Sequence, residues 1–390
     1  MQKFSSWPYF TDEEAEAVRQ VLLSNKVNYW TGCECREFER EYATYLGVKH
    51  AIAVANGTLA LEVALRALEI GQGDEVIVTS RTFLASVSCI VTVGAKPVFA
   101  DIDLDTQNIT PLSIRKVLTS NTKAIIAVHL AGWPCDMDSM MELAKELNLK
   151  VIEDCAQAHG AKYKGRSVGS IGHIGAWSFC QDKIMTTGGE GGMVTTNDKK
   201  LWEKMWSYKD HGKSWKAVYE TKHPPGFRWL HESFGSNYRM TEMQAAIGRI
   251  QIKRMSEWHE ARKQNAEAIL TVSEEYPKVF RVPSPPEHVE HAWYKCYVFV
   301  KVEGLRLGWN RDKIIAEINS LGVPCYSGSF SEVYLEKAFE GTNFRPKDRL
   351  PVAKELGETS LMFLVHPTLG DAEMDLTKSA IRIVMNQAML

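Results

Sequence analysis

The feature that most constrains the fold is a regular alternation of short apolar segments with helical segments between residues 51 and 154. The apolar segments, which we predict to be strands, are 51–55, 75–79, 96–101, 124–128 and 150–154. The predicted helices between them are 58–70, 84–93, 136–147 and a segment opened by Thr110 as N-cap with Pro111 in the first turn. Nearly continuous apolar strands joined by helices predict an α/β fold whose mostly parallel sheet is covered on both faces.

The chain changes character after about residue 240. Thr241 begins a capping-box sequence, Thr-Glu-Met-Gln, which predicts a helix running to about residue 270. A proline-rich loop at 282–287, a strand at 294–300 and a helix at 311–321 follow. We therefore predict a large domain, 1–250, that begins with a helix at 12–24, and a smaller α+β domain, 251–390.

Composition narrows the class of protein. The net charge of −2 is spread evenly along 390 residues, so a nucleic-acid partner is not expected. No apolar run approaches the roughly 20 residues of a membrane span, and the first residues lack the apolar core of a signal peptide. Cys33 and Cys35 do not have the spacing of a zinc site, so no metal is expected. These features favour a cytoplasmic protein.

Two charged residues carry the main chemical prediction. Lys183 follows a short apolar strand and precedes a glycine-rich turn at 188–192, while Asp154 ends the strand 150–154. Ligands of parallel sheets bind beyond the carboxyl ends of the strands, which is where Asp154 lies. A lysine amine can form a Schiff base with an aldehyde cofactor, and a buried carboxylate can keep a pyridine nitrogen protonated. Pyridoxal 5′-phosphate (PLP) needs both groups.

A second group of residues predicts where the cofactor's phosphate and ring would lie. Asn56, Gly57, Thr58 and Leu59 connect a strand to a helix, and N–H groups at a helix N-terminus favour a phosphate. A purely structural turn is the alternative for this segment. Ser178, five residues before Lys183, is a further phosphate ligand to consider. Phe83 follows another strand and can stack on a flat ring, although a core position is the alternative.

The whole chain resembles the DegT/DnrJ/EryC1/StrS family of sugar aminotransferases, which are PLP enzymes of fold type I. The matching segments occur in order at 37–39, 56–58, 73–77, 82–83, 153–157, 169–172, 178–179, 183, 186–192, 237–241, 244–248 and 366–367. This ordered set is far more specific than any one motif. The resemblance implies a seven-stranded, mostly parallel sheet in the large domain.

The resemblance also implies a role for each matched residue. Lys183 would carry the cofactor, Asp154 would pair with the pyridine nitrogen, and Gln157 would contact the phenolic oxygen. The other expected cofactor contacts are the stacking ring of Phe83 and the phosphate ligands Gly57, Thr58, Leu59 and Ser178. Asn237 would reach the phosphate from the neighbouring subunit, which predicts a homodimer with shared active sites.

The implied reaction moves the amino group of glutamate to a nucleotide-linked 4-keto-6-deoxy sugar. The sequence around Lys183 resembles the subgroup acting on UDP-2-acetamido-2,6-dideoxy-4-keto-hexoses, whose products enter surface glycans. A dTDP- or GDP-linked sugar and amination at C3 remain alternatives. Lys213 and Arg239 are the nearest basic candidates for the diphosphate, with a structural ion pair as the alternative for each.

Two further functions stay open, and two segments depart from the family pattern. A related sugar dehydratase has histidine at the position of Lys183, and a non-catalytic regulator on the same fold should lack Lys183 or Asp154. Asn56 stands where the family has serine. The segment 325–329 reads Cys-Tyr-Ser-Gly-Ser instead of the usual arginine followed by Pro-Leu-His, so the sugar contacts of that region are not predicted.

Overall fold

The computed structural model describes residues 4–224 and 228–390. The α-helices are α1 (Asp12–Leu23), α2 (Glu34–Leu46), α3 (Gly57–Ala67), α4 (Ala85–Thr92), α5 (Pro111–Arg115), α6 (Met137–Glu146), α7 (Lys199–Lys209), α8 (Trp215–Tyr219), α9 (Glu242–Gln251), α10 (Met255–Glu274), α11 (Arg311–Ser320), α12 (Pro351–Thr359) and α13 (Asp371–Ala388). The strands are β1 (His50–Val54), β2 (Glu75–Thr79), β3 (Lys96–Ala100), β4 (Thr122–Val128), β5 (Lys150–Asp154), β6 (Lys162–Tyr163), β7 (Arg166–Ser167), β8 (Ile174–Ser178), β9 (Gly192–Thr196), β10 (Phe280–Arg281), β11 (Val289–Glu290), β12 (Cys296–Val300), β13 (Cys325–Tyr326) and β14 (Ser360–Phe363).

Seven strands form the central sheet, in the order β1-β9-β8-β5-β4-β2-β3. Strands β8, β5, β4, β2 and β3 are mutually parallel, and β9 is antiparallel to both of its neighbours, β1 and β8. The predicted α/β class and the mostly parallel sheet are therefore confirmed. Each of the five strands predicted between residues 51 and 154 is present, with ends within two residues of the prediction.

Both faces of this sheet are buried, which explains why its strands are almost wholly apolar. On β5, the neighbouring residues Val151 and Ile152 point to opposite faces and are both fully buried. Val151 packs into a core that includes α6, while Ile152 packs into a core that includes α3 and α4. The polar ends of the strands are therefore the positions left for a site.

The C-terminal part forms a second, four-stranded antiparallel sheet in the order β10-β12-β14-β13. It shares an apolar core with α10, α11 and α13. Val333, Tyr334 and Phe339 instead pack against the core of the central sheet, so the C-terminal part contributes to both cores. The domain boundary near residue 250 stays a prediction.

The helix predicted from Thr241 to about residue 270 is in fact two helices. The Thr241–Gln244 capping box is present, but a 3₁₀ turn, Ile252–Arg254, separates α9 from α10. Helix α9 packs against α1 and α2, whereas α10 packs against α13. The 3₁₀ turn therefore lies between two helices that have different packing partners. Within the described part of the chain, no helix combines the length and apolar character needed to cross a membrane.

Candidate active site

A cavity of about 670 Å³ opens at the carboxyl ends of strands β1, β2, β5 and β8. This is the edge of a parallel sheet at which ligands are expected. Eight of the eleven predicted site residues line the cavity, and they are Gly57, Thr58, Leu59, Phe83, Asp154, Gln157, Ser178 and Lys183. These residues come from four separate strand ends, so the fold brings together what the sequence distributes over more than a hundred positions.

Lys183 reaches the cavity from a turn that follows β8. The turn is held by Ile184 and Met185, whose side chains are fully buried. The Lys183 side chain is only 16% exposed, and its Nζ lies 3.4 Å from Oδ1 of Asp182 and 3.5 Å from the hydroxyl of Tyr294. The amine of a surface lysine is surrounded by water, whereas the Lys183 amine is held at the cavity wall by these two contacts.

The Asp182 carboxylate and the Tyr294 hydroxyl form a pair beside that amine. Tyr294 is buried and donates its hydroxyl proton to Asp182 in a short hydrogen bond. Burial alone would raise the pKa of Asp182, but the neighbouring Lys183 and the Tyr294 hydrogen bond bring it below its ordinary value. Asp182 therefore supplies a negative charge next to the lysine.

Asp154 is a buried carboxylate without a cationic partner. Only 5% of the residue is exposed, and its two oxygens accept hydrogen bonds from Ser86 Oγ (2.7 Å) and the N–H of Ala156 (3.1 Å). Burial raises the pKa of Asp154 above its ordinary value, although these two hydrogen bonds act in the opposite direction. No salt bridge joins Asp154 to another described residue, so a protonated ring nitrogen would supply the missing positive charge.

Gln157 can donate a hydrogen bond to the edge of a bound ring, and Phe83 can stack on one of its faces. The amide oxygen of Gln157 accepts the N–H of Ala131 at 2.8 Å, which leaves its NH₂ group as the donor toward the cavity. Phe83 is 62% exposed although it lines the cavity. Phe83 is therefore not a core residue, and its open aromatic face is suited to stacking on a flat ring.

The N-terminus of α3 and the end of β8 form a cradle for an anion. A Cβ added to Gly57 would come within 2.5 Å of the Ser178 Cβ, so only glycine allows the two segments to approach this closely. The Asn56 side chain accepts the N–H of Leu59 at 3.0 Å and caps the helix. The N–H groups of Gly57 and Thr58, which precede the first helical hydrogen bond, are the donors left for a phosphate.

Three predicted residues lie outside the cavity and gather around another carboxylate, Asp210. Asp210 is fully buried and accepts hydrogen bonds from Arg239 Nη1 (2.5 Å), Lys213 Nζ (3.0 Å) and Trp30 Nε1 (2.7 Å). Burial would raise the pKa of Asp210, but Lys213 and Arg239 hold it below its ordinary value. Asn237 pairs with Asp210 through a β-bridge. Within one chain, Lys213 and Arg239 are thus members of a structural ion cluster.

The sequence prediction missed Ser86, Asp182 and Tyr294. Ser86 lies four residues after Thr82, and two hydroxyl residues this close together just beyond the strand 75–79 were the available signal. Asp182 is adjacent to Lys183, and its charge next to a predicted reactive amine was a second signal. Tyr294 is 111 positions from Lys183, and no local pattern announces such a contact.

The assembled groups fit PLP. The cavity presents the Lys183 amine for the aldehyde, the buried carboxylate of Asp154 and the amide donor of Gln157. It also presents a helix N-terminus that Gly57 allows to lie close to Ser178. Each of these groups is satisfied by a different part of one flat, phosphorylated, nitrogen-containing ring. Chemically, such a site can move protons at a carbon joined to an amine.

Three curated relatives show how far this chain resembles known proteins. GDP-perosamine synthase of Escherichia coli O157:H7 is 43% identical over 70% of this chain and 74% of its own length. The dTDP-3-amino-3,6-dideoxy-alpha-D-galactopyranose transaminase of Aneurinibacillus thermoaerophilus is 41% identical over 75% and 76%. The UDP-N-acetyl-3-dehydro-alpha-D-glucosamine 3-aminotransferase of Acidithiobacillus ferrooxidans is 34% identical over 95% and 93%.

A solved aminotransferase structure has the same fold as this chain. The aminotransferase from Psychrobacter cryohalolentis is 66% identical, with a TM-score of 0.97, over 98% of this chain and 99% of its own. The sequence profile of the DegT/DnrJ/EryC1/StrS aminotransferases matches residues 8–382. The chain therefore belongs to the DegT/DnrJ/EryC1/StrS aminotransferase family, whose enzymes use pyridoxal phosphate.

Proposed function

We propose that this protein transfers the amino group of glutamate to a nucleotide-linked keto sugar. The observation that carries the proposal is one cavity containing both the Lys183 amine and the buried, cation-free carboxylate of Asp154. The favoured acceptor is UDP-2-acetamido-2,6-dideoxy-4-keto-hexose, and the product is the UDP-4-amino sugar used in surface glycan biosynthesis. Such an enzyme works in the cytoplasm, where nucleotide sugars are made.

Five residues in or beside the cavity have a task in this reaction. When bound, PLP supplies an electron sink that stabilises negative charge at the substrate carbon. Asp154 keeps the ring nitrogen protonated, and Gln157 donates to the ring oxygen. Lys183, close to the reacting carbon, removes a proton from one position and returns it at another. Asp182 and Tyr294 hold the lysine amine where this exchange takes place.

The phosphate cradle fixes the cofactor in position. The N–H groups of Gly57 and Thr58, together with the Ser178 hydroxyl, supply donors at a helix N-terminus. We propose that Asn237 of a second chain completes this cradle, because Asn237 lies outside the cavity of its own chain. The active enzyme is then a homodimer with two shared sites.

The relatives of this chain act on sugars carried by different nucleotides. The names of the relatives include GDP-, dTDP- and UDP-linked sugars, so family membership supports a nucleotide sugar without selecting the base. The choice of a UDP-linked 4-keto sugar comes from the sequence around Lys183. Amination at C3, or of a GDP- or dTDP-linked sugar, is the next candidate.

The presence of Lys183 argues against two other functions. A PLP-dependent dehydratase of this family has histidine at this position, so the lysine favours transamination. A non-catalytic regulator does not require a reactive lysine beside a buried aspartate, and both are present here. Retention of PLP and its conversion by glutamate to the amine form would exclude the regulator.

The test is a substrate panel. PLP-loaded protein and glutamate are incubated separately with UDP-, dTDP- and GDP-linked 4-keto and 3-keto sugars, and the products are identified by mass and NMR. We expect an amino sugar from the UDP-linked 4-keto substrate at the highest kcat/KM. Lys200→Ala, at an exposed position, serves as the matched active control. Conversion of glutamate without any amino sugar product would contradict the proposed acceptor class.

A further inference from the structure

The N-terminal segment makes a direct contact with the backbone of the reactive lysine. The indole Nε1–H of Trp7 donates a 2.7 Å hydrogen bond to the carbonyl oxygen of Lys183. The family profile begins at residue 8, so Trp7 lies just outside the matched range. The amide N–H of Lys183 bonds to the carbonyl of Cys180 on the other side. Trp7 therefore completes the anchoring of both peptide groups that flank the Lys183 Cα.

The position of the Trp7 ring is fixed by several neighbours. The Trp258 ring meets it edge-on at 5.0 Å, and His366 stacks on it with ring centroids 6.1 Å apart. The guanidinium of Arg262 lies 5.0 Å from its centroid, within cation–π range. Such a surrounded indole holds its N–H in one direction, so the hydrogen bond to Lys183 is aimed by packing.

The buried charge of Arg262 also favours the observed position of the Trp7 ring. Arg262 is 1% exposed, and neither its Nε nor its Nη2 has a hydrogen-bond partner among the described residues. Burial lowers the pKa of Arg262 to about 9. The face of Trp7 is one of the few groups that compensate this buried cation, and loss of the ring would uncover it.

The same segment is tied to the C-terminal part of the chain. The N–H of Ser5 donates to Glu373 at 2.6 Å, and the Thr368 hydroxyl donates to the carbonyl of Ser6 at 3.0 Å. Residues 5–7 thus form a strap, which we call the Trp7 strap, between the N-terminus of α13 and the Lys183 turn.

We infer that Trp7 is a positioning residue for Lys183. Its hydrogen bond fixes the peptide plane that follows the Lys183 Cα, and this plane sets the direction in which the side chain leaves the turn. Since proton transfer depends on placement to within about 1 Å, a rotated peptide would slow every step that uses the amine. The inference rests on the proposed function only in taking Lys183 as the residue that holds PLP.

Trp7→Phe is the decisive variant, because it keeps the aromatic face over Arg262 and removes only the N–H donor. Trp258→Phe is its matched control, because the Trp258 ring packs against Trp7 and makes no hydrogen bond to the Lys183 turn among the described residues. Apoprotein of each variant is mixed with PLP, and the rate of capture at Lys183 is followed by absorbance. Borohydride reduction and peptide mass confirm the attachment. The glutamate half-reaction is then measured in single turnovers, together with the melting temperature.

For Trp7→Phe we expect capture and the glutamate half-reaction to be about tenfold slower, the effect of one well-placed hydrogen bond. The concentration of glutamate giving half-maximal rate should change less than about twofold, because Trp7 does not touch the cavity. Trp258→Phe should keep both rates near those of the wild type. Unchanged rates in Trp7→Phe would overturn the inference, as would equal rate losses that follow stability in both variants.

These readouts separate the inference from the proposed function. PLP capture requires neither glutamate nor a sugar, so failure to find a sugar acceptor leaves the role of Trp7 intact. Attachment of PLP at a lysine other than Lys183 would instead overturn both.

Discussion

The cavity around Lys183 and the ion cluster around Asp210 both contain residues predicted to bind parts of the same ligands, yet the two are built differently. In the cavity, Asp154 is buried without a cation, and the Lys183 amine lies at the cavity wall beside Asp182. In the cluster, Asp210 is compensated by Arg239 and Lys213 within the same chain. A buried carboxylate with no cation in its own chain indicates a place for a ligand, whereas a carboxylate paired with two cations indicates a structural role or a contact with another molecule.

Removal of the Lys183 amine tests the cavity with the largest expected effect. Lys183→Ala should abolish amino transfer, because no other described amine lines the cavity, while PLP can still bind without a covalent link. The measurements are product formation from glutamate and the protein mass after borohydride reduction. Near-normal transfer in this variant would take Lys183 out of the reaction.

Asp154→Asn should come next in size. The amide cannot stabilise a protonated ring nitrogen, so the glutamate half-reaction should slow about 10²–10³-fold. Glu153→Gln is the neighbouring control. That carboxylate is buried on the far side of β5, where it accepts hydrogen bonds from His129 and Gly169, and its loss should reduce stability more than rate. A loss of less than tenfold in Asp154→Asn would mean that Asp154 does not face the ring.

Arg239→Ala separates a structural from a substrate-binding role in the Asp210 cluster. If Arg239 also binds the diphosphate, KM for the nucleotide sugar should rise about tenfold, while the glutamate half-reaction should change little. Arg254→Ala removes an arginine that pairs with Glu13 and Glu14 and so controls for the loss of an ion pair. Equal damage to both half-reactions would assign Arg239 to the fold alone.

Ser86→Ala should give the smallest effect. It removes one of the two hydrogen bonds to Asp154, which should slow the glutamate half-reaction about fivefold. Ser88→Ala is the control and should be neutral, because Ser88 lies on the same helix and its hydroxyl has no hydrogen-bond partner among the described residues. If the two variants behave alike, Ser86 does not support Asp154.

The comparison also shows what a sequence can predict. The strands at 75–79 and 150–154 were predictable, because a strand buried on both faces must be a short apolar run. The caps at Thr110 and Thr241 were predictable, since capping depends on residues three positions apart. Lys183, Asp154 and the cradle at Gly57 were found by local chemistry together with the family resemblance.

The contacts that were missed have a common property. Ser86 with Asp154, Trp7 with Lys183 and Tyr294 with Asp182 join residues 68, 176 and 112 positions apart. Such pairs depend on tertiary packing, which no local pattern encodes. The break between α9 and α10 was missed for the same reason, because each helix packs against different partners.

The proposal that Asn237 of one chain completes the cavity of another can be tested directly. Two differently tagged chains, Lys183→Ala and Asn237→Asp, are produced together, and the mixed dimers are purified through both tags. Each variant alone should be inactive, the second because its new carboxylate repels the cofactor phosphate. A mixed dimer then contains one site with both lesions and one intact site, so about half of the wild-type activity should return. If Asn237 acts within its own chain, every mixed site keeps one lesion, and the absence of any recovered activity would contradict the claim.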